Sequence, residues 1–492
     1  FKSLGCERSK SMQIPGRIGS LIGGVEVFSE DRKEVVSPHS GERLTTLCMA
    51  TNKEMNLAID EAAHVADKWG SLSSIERSDI LYKTSELLER DILSLSEIVS
   101  KEAGKSVAQA KSEIVAAIRS ARFFAGEGAR LFGRTLPSIE ANKHIFCIRQ
   151  PCGVAGLITA FNTPAPNFAW KVFPALVCGN SVVLKPSEHT PISAHLMAKL
   201  MMEAGLPEGV LNVVQGDGRA IVSDLFQRNE VGVVSFTGST SVGRELGVLA
   251  GASNKKLSLE LGGKNAIYIH KDADIPLAVQ WVVQSAFSNA GQRCASASRC
   301  IIAEGIYTEF VDSLITQTEK IAIGVGDSDL VGPLISEIHV ERVLDKIGKA
   351  ITNGANILVG GRRASSKMLS KGNYLEPTIV EGLPEDSEMA QEELFAPILA
   401  LYKAGSEDEA IRLVNNSSYG LSAAVHTKDI NFAMKFARCV ETGVVNINGG
   451  THGSEPHVPF GGLKNSGNGT REPGTEAIDI YTNLKNICIV EH

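Results

Sequence analysis

Residues 154–185 read VAGLITAFNTPAPNFAWKVFPALVCGNSVVLK. An apolar run over 154–160 ends in the polar turn Phe161-Asn162-Thr163-Pro164. A helical pattern then runs through 177, and a second apolar run occupies 181–185. Apolar runs without polar alternation, separated by a helix, predict parallel strands covered on both faces. The alternation continues with a helix at 191–204, a strand at 211–215 and a helix near 218–227. A strand at 232–237 and a helix at 239–250 follow. Ligands of such sheets bind beyond the carboxyl ends of the strands. That rule sets Phe161-Asn162, Lys185-Pro186, Gly216-Asp217-Gly218 and Thr237-Gly238-Ser239 along one rim.

Downstream, residues 264–458 repeat the α/β habit, with strand-like runs at 265–269, 300–303, 356–359, 398–402 and 423–425. Upstream, 21–48 reads as short strands, and 53–70, 75–100 and 105–130 read as helices. Two strand-like stretches, 144–150 and 479–490, stand outside both alternations. They are expected to pair with each other or with another subunit. The expected fold is therefore two doubly wound α/β domains with a β-strand arm.

The chain has 492 residues, enough for two to four domains, with 43% hydrophobic and 21% charged residues and a net charge of −7. Nothing in that balance favours nucleic acid or an anionic membrane as partner. No run of 18 apolar residues predicts a membrane span. The nine cysteines are scattered, which points to reduced thiols, with the cytoplasm as the expected location and an organelle matrix as the second choice. No cysteine or histidine spacing suggests a metal site. The segment FKSLGCERSKS at 1–11 reads as a residual transit segment, an expression scar or a ragged terminus, and stays outside the fold argument.

The chemistry concentrates in 258–300, SLELGGKNAIYIHKDADIPLAVQWVVQSAFSNAGQRCASASRC. Glu260 ends an apolar strand at Gly262-Gly263, where bare backbone admits a ligand. Cys294 follows the small polar loop Asn289-Ala290-Gly291-Gln292, from which a thiol can reach a substrate. Locally each residue has a plainer alternative. Cys294 reads equally as an inert buried thiol, Glu260 as a strand-end cap and Asn162 as a helix cap. Thr237-Gly238-Ser239 reads as an ordinary N-cap, and Lys185 with Glu188 as a solvated salt bridge.

ELGGKN at 260–265 followed by NAGQRC at 289–294 resembles the aldehyde dehydrogenase superfamily, NAD(P)-dependent enzymes that oxidise aldehydes to acids. The resemblance runs from SPHSGE at 37–42 to the C-terminus. It implies Cys294 as nucleophile, Glu260 as the base that activates water, and Asn162 with the Cys294 N–H as oxyanion donors. It implies that Lys185, Ser187 and Glu188 of KPSE bind the adenosine ribose. There Glu188 should repel a 2′-phosphate, so NAD is expected and NADP is less favoured. Gly218, Thr237, Gly238, Ser239 and Leu261 complete that surface. Glu393 in QEELFAP would hold the nicotinamide ribose with Phe395 beside it. Ala396 stands where the family usually has Gly, which is expected to shift that loop slightly. The resemblance also makes 131–149 and 473–490 oligomerisation arms of a homodimer or homotetramer. The expected cofactor domain is 15–130 with 150–258, and the catalytic domain 259–458.

At the substrate end, Asn167 and Trp170 follow Asn162 on its helix, Trp170 reading equally as core. Arg293 either holds an anionic group of the substrate or turns away into a salt bridge. The loop at 451–457 makes the substrate mouth polar with His452 and His457. The expected substrate is a small polar or anionic semialdehyde. Rival readings are a CoA-acylating dehydrogenase, which generally lacks the water-activating glutamate, a non-catalytic protein on the same fold, and a cysteine hydrolase.

Overall fold

Val154–Ile158 and Ser181–Lys185 are buried at every position, as strands covered by helices on both sides must be. They lie side by side and parallel at the centre of a seven-stranded sheet in this computed structural model, which describes residues 12–367 and 369–492. The terminal segment 1–11 is outside the described residues. Across the sheet the order is Lys256–Glu260, Val231–Thr237, Val154–Ile158, Ser181–Lys185, Leu211–Val213, Ser20–Ile22 and Val25–Val27. The first five are parallel, and the last two are an antiparallel hairpin added at the edge. Strand order reverses between Val154–Ile158 and Val231–Thr237, which opens a crevice at their carboxyl ends.

The second sheet also has seven strands. Its order is Asn356–Val359, Thr378–Glu381, Ile398–Ala404, Ala297–Ala303, Asn265–Ile269, Ser422–His426 and Val444–Ile447, with only the first pair antiparallel. A third sheet is the arm. Lys143–Pro151 pairs antiparallel with Thr482–Val490 from Thr482↔Pro151 to Val490↔Lys143, and Arg134–Leu136 pairs on the other side. The two strands left out of the α/β alternation do find each other.

Local chemistry explains where the elements differ from expectation. The stretch 75–100 is two helices, Ser74–Arg90 and Ile92–Ala103. Asp91 leaves helical geometry (φ −102°, ψ 15°), and its carboxylate takes Arg90 Nη2 at 2.6 Å. The region near 218–227 holds two short helices, Gly218–Ile221 and Asp224–Gln227. The C-terminal strand starts at Thr482, because Ala477–Tyr481 is helical.

Residues 459–472 form a strap between the two large sheets. Leu463–Lys464 pairs with Tyr419–Gly420 beside the second sheet. The strap also closes the free edge of Lys256–Glu260. Leu259 N–H donates to Asn468 Oδ1 at 3.0 Å, Asn468 Nδ2 donates to the Leu257 carbonyl at 2.7 Å, and Leu261 N–H donates to the Ser466 carbonyl at 2.9 Å. An edge strand covered in this way cannot template aggregation. Among the described residues no helix is long and apolar enough to cross a membrane.

Candidate active site

Between the two large sheets lies a cleft of about 1330 Å³, with the switch point of the first sheet on its floor. Cys294 enters it half-buried from a loop with an unusual backbone. Asn289 and Ala290 are left-handed (both φ 54°), and so is Gly291 (φ 67°). A Cβ on Gly291 would stand 2.2 Å from the Ala396 carbonyl oxygen, so only glycine lets the thiol loop approach the Glu393 loop. Ala396 itself is buried there, 6% exposed. The loop is pinned by Gln292, whose Nε2 donates to the Pro333 carbonyl at 3.1 Å and whose Oε1 accepts Ile335 N–H at 2.9 Å. Asn265 Nδ2 holds the Cys294 carbonyl at 2.7 Å. Burial pushes the Cys294 thiol up to about 12, with the charges of Glu393 and Glu260 adding to it.

Asn162 ends the turn after Val154–Ile158, opposite the thiol loop. Its Oδ1 accepts Asn167 Nδ2 at 3.2 Å, and Asn167 also donates to the Ala160 carbonyl at 3.2 Å. Asn167 therefore orients Asn162 and has its amide already committed. With Oδ1 held, the Asn162 Nδ2 hydrogens are left for the cleft, an assignment that follows from the hydrogen-bond network.

Glu260 ends the edge strand and is 6% exposed, and neither carboxylate oxygen has a protein hydrogen bond. Burial pushes its carboxyl well above the usual carboxylate range, and the Glu472 charge pushes in the same direction. Behind it lies a paired network. Lys171 Nζ bonds Glu472 Oε2 at 2.7 Å and Ser235 Oγ at 2.5 Å, while Ser235 and Ser258 donate to Glu472 Oε1 at 2.7 and 3.0 Å. A buried carboxyl with no partner among the described residues, facing a cleft, is placed to exchange a proton with a molecule bound there.

The rim carries the other group of residues. Lys185 Nζ meets Glu188 Oε2 at 3.2 Å, with Ser187 and Gly218 alongside. Ser239 caps the helix Thr240–Ser253, and Thr237 and Gly238 turn the chain into it. Leu261 packs on that helix at Gly243, where a Cβ would lie 2.5 Å from its Cδ2. Across the cleft, Glu393 Oε1 accepts Gly263 N–H at 3.1 Å, and burial pushes its carboxyl up to about 7. Phe395 is left-handed (φ 54°) and stands edge-on to Phe161 with ring centres 5.7 Å apart. These residues suit a dinucleotide: carboxylates at both ends for ribose hydroxyls, bare backbone and a capped helix start between them for a pyrophosphate.

The substrate end is mixed. Trp170 lines the cleft, packed on Phe460 at 5.9 Å with Cys294 in the same cluster. Arg293 also lines it, and among the described residues its guanidinium makes one hydrogen bond, a long one to Ser288 Oγ at 3.4 Å. Among the described residues no carboxylate makes an ion pair with it, although the Glu113 charge lies near. His452 Nε2 shares Ser288 Oγ at 3.2 Å, and burial beside Arg293 pushes the ring down to about 4, so it is neutral at pH 7. His457 does not join them. It is exposed, 3.8 Å from Glu455, and does not line the cleft.

Among the residues of this arrangement that have no role in the sequence reading are Asn265, Lys171 and Glu472. Lys171 carried a signal, a lysine inside the apolar helical stretch NFAWKVFPALV. Asn265 was inside the quoted motif. Glu472 had no local signal, since its partners lie 214 to 301 residues away.

A thiol-bearing loop and an unpaired carboxylate facing a dinucleotide-type crevice fit an oxidoreductase of the thiol-dependent kind. The chain belongs to the aldehyde dehydrogenase family, whose profile matches residues 27–487. It is 35% identical over 442 residues to the alpha-ketoglutaric semialdehyde dehydrogenase of Bacillus subtilis (strain 168), covering 89% of this chain and 91% of that one. It is 36% identical to the succinate-semialdehyde dehydrogenase [NADP(+)] GabD of Escherichia coli (strain K12), covering 96% and 97%. Betaine aldehyde dehydrogenase from Staphylococcus aureus, solved in complex with NAD+, superposes with a TM-score of 0.93 at 31% identity, covering 96% and 94%. The protein is thus a dinucleotide-dependent enzyme that oxidises an aldehyde to its acid.

Proposed function

We propose that the substrate is a small semialdehyde with a carboxylate on its far end, and that NAD is preferred over NADP. The observation that carries this reading is Arg293, a cleft-lining guanidinium next to Cys294 that makes no ion pair with a carboxylate among the described residues, the Glu113 charge acting on it only from a longer range. A guanidinium matches a carboxylate in two-pronged geometry, and in a half-buried site the pairing is strong. It would repel a cation, which argues against a substrate such as betaine aldehyde. The names of the Bacillus subtilis and Escherichia coli relatives, both semialdehyde dehydrogenases, point the same way.

In this reading Cys294 Sγ gives up its proton to water in the cleft and attacks the aldehyde carbon, and the developing oxyanion is met by Asn162 Nδ2 and the Cys294 N–H. Such donors contribute about 3–4 kcal/mol each. When bound, NAD supplies the acceptor for the hydride leaving the carbon, held by Lys185, Glu188 and Glu393. Glu260 then takes a proton from water as that water attacks the thioester. Lys171 and Glu472 lie behind it, paired with each other, and the water's oxygen carries the negative charge that Glu260 gives up into the thioester carbonyl. Glu188 disfavours a 2′-phosphate by repulsion. The arm sheet, with Leu136, Leu484, Ile489 and Val490 exposed, would join copies into a dimer or tetramer. The free thiols suit the cytoplasm or an organelle matrix.

The test is an aldehyde panel followed at the NADH band, with NAD and NADP compared and no CoA added. Succinate semialdehyde is expected to exceed long aliphatic aldehydes and betaine aldehyde in kcat/KM, with free acid as product. Higher kcat/KM for the aliphatic or cationic aldehydes overturns the anionic substrate, and a requirement for CoA overturns the hydrolytic step.

A further inference from the structure

Lys105 and Glu113 form an ion pair beneath the reacting groups. Lys105 follows Gly104, the left-handed end (φ 66°) of the helix Ile92–Ala103, and Glu113 projects from the helix Val107–Glu127. The lysine is 1% exposed and the glutamate 8%. Removing two charges from water costs several kcal/mol per ion, and an apolar pair of the same volume often stabilises a fold as well. Holding the helices together does not account for the choice.

The third contact does. Lys105 Nζ also donates to the main-chain carbonyl of Asn162 at 2.7 Å. The same oxygen takes Asn289 Nδ2, from the thiol loop, at 3.3 Å. Asn162 is thus held twice, through its carbonyl by Lys105 and Asn289 and through Oδ1 by Asn167. A charged donor fixes an acceptor more firmly than a neutral one. The Asn162 peptide is the junction between the first sheet and the thiol loop, and Lys105 is the only charged group on it among the described residues.

Glu113 has a second neighbour. The Arg293 charge acts on both members of the pair, and Glu113 Oε2 has no protein hydrogen bond. The carboxylate is therefore paired with the lysine that holds Asn162 and also feels the charge of the arginine next to Cys294.

We propose that Lys105, anchored by Glu113, is a positioning residue of the reaction: it locks the Asn162 peptide so that the side-chain amide faces the carbonyl oxygen captured at Cys294. This rests on the reading of Asn162 as the oxyanion donor. Lys105 touches neither substrate nor cofactor and acts only through Asn162. Misplacing a preorganised group by about 1 Å costs on the order of 100-fold in rate, without weakening ground-state binding.

The experiment is a double-mutant cycle on the full chain with Lys105→Met, Asn162→Ala and both together. It reads kcat, KM for aldehyde and NAD, direct NAD binding and the thermal melt. Lys105→Met is expected to lower kcat by about 10- to 100-fold with NAD binding within about twofold of wild type. In the Asn162→Ala background the same change should cost less than about threefold, because contacts acting through one group are not additive. An unchanged kcat in Lys105→Met, or a full additional loss in the double variant, overturns the positioning role. A wild-type rate in Asn162→Ala overturns the oxyanion reading itself, a result distinct from either. Should Lys105→Met fail to fold, Glu113→Gln loosens the same lysine with little change of shape. It is expected to show a smaller kcat loss and the same non-additivity, and additivity there overturns the proposal equally.

Discussion

Replacing Glu260 by Gln keeps the shape of the side chain and removes its capacity to accept a proton. Two steps need such a capacity: loss of the thiol proton and activation of the water. The structure sets the size of the first. With the thiol pushed up to about 12 in the ligand-free site, about one Cys294 in 10⁵ is ionised at pH 7, a deficit of about 7 kcal/mol. Glu260 is placed for the second step, since its free oxygens face the cleft and the strap seals it from behind. A positioned base contributes about 10²- to 10⁴-fold. Glu260→Gln should therefore slow thioester hydrolysis by that factor while the first oxidation proceeds. Stopped-flow absorbance should show a burst of about one NADH per site, then a slow steady rate. The sign of the pH dependence follows from the raised carboxyl. A base works deprotonated, so wild-type deacylation rises with pH along a limb above the ordinary carboxylate range, and that limb vanishes in the variant. Steady turnover at the wild-type rate would refute the assignment of the base. A variant that loses the burst together with the steady rate would show that Glu260 also takes the thiol proton.

Cys294→Ala should abolish aldehyde oxidation and leave NAD binding intact, measured by titration of the cofactor alone. Gly262→Ala would set a Cβ 2.0 Å from Glu393 Oε2, so the carboxylate must move and give up its bond from Gly263 N–H. A hydrogen bond to a charged group contributes about 1.5–3 kcal/mol, so KM for NAD should rise roughly 10- to 100-fold, and an unchanged KM would contradict Glu393 as a cofactor ligand. Arg293→Met should raise KM for succinate semialdehyde by about 10-fold or more and leave a neutral aldehyde of the same length unaffected. Equal changes for both substrates would remove Arg293 from substrate recognition.

The two α/β sheets were legible because their signal is local. Runs such as Val182-Val183-Leu184 carry no polar residue on either face, and the helices between them have their own periodicity. Thr378–Glu381 and Val444–Ile447 escape the sequence reading, since each carries a polar residue, Glu381 or Asn446, that breaks its apolar run. The split at Asp91 turns on one carboxylate finding Arg90, which periodicity does not register. In the site, Cys294, Glu260, Asn162 and Lys185 stood out because each ends a strand or follows a glycine-bearing loop. His457 was drawn in by its nearness in sequence to His452, yet two successive loop residues away from the cleft wall suffice to put a side chain in solvent. Glu472 and Lys105 were missed for the opposite reason. Their neighbours in sequence are unremarkable, and their significance lies in contacts 301 and 57 residues distant.

The strap has a consequence for a chain still being synthesised. Cys294, Asn162 and the whole cofactor sheet leave the ribosome well before Ser466, Asn468 and Glu472 exist. Until those residues arrive, Lys256–Glu260 is an open edge and its terminal carboxylate is hydrated, with neither the seal nor the negative neighbour that raises its proton affinity. The Glu260 end of the site is therefore the last to mature, so an unfinished chain lacks the setting that raises the proton affinity of that carboxyl even after its thiol is in place.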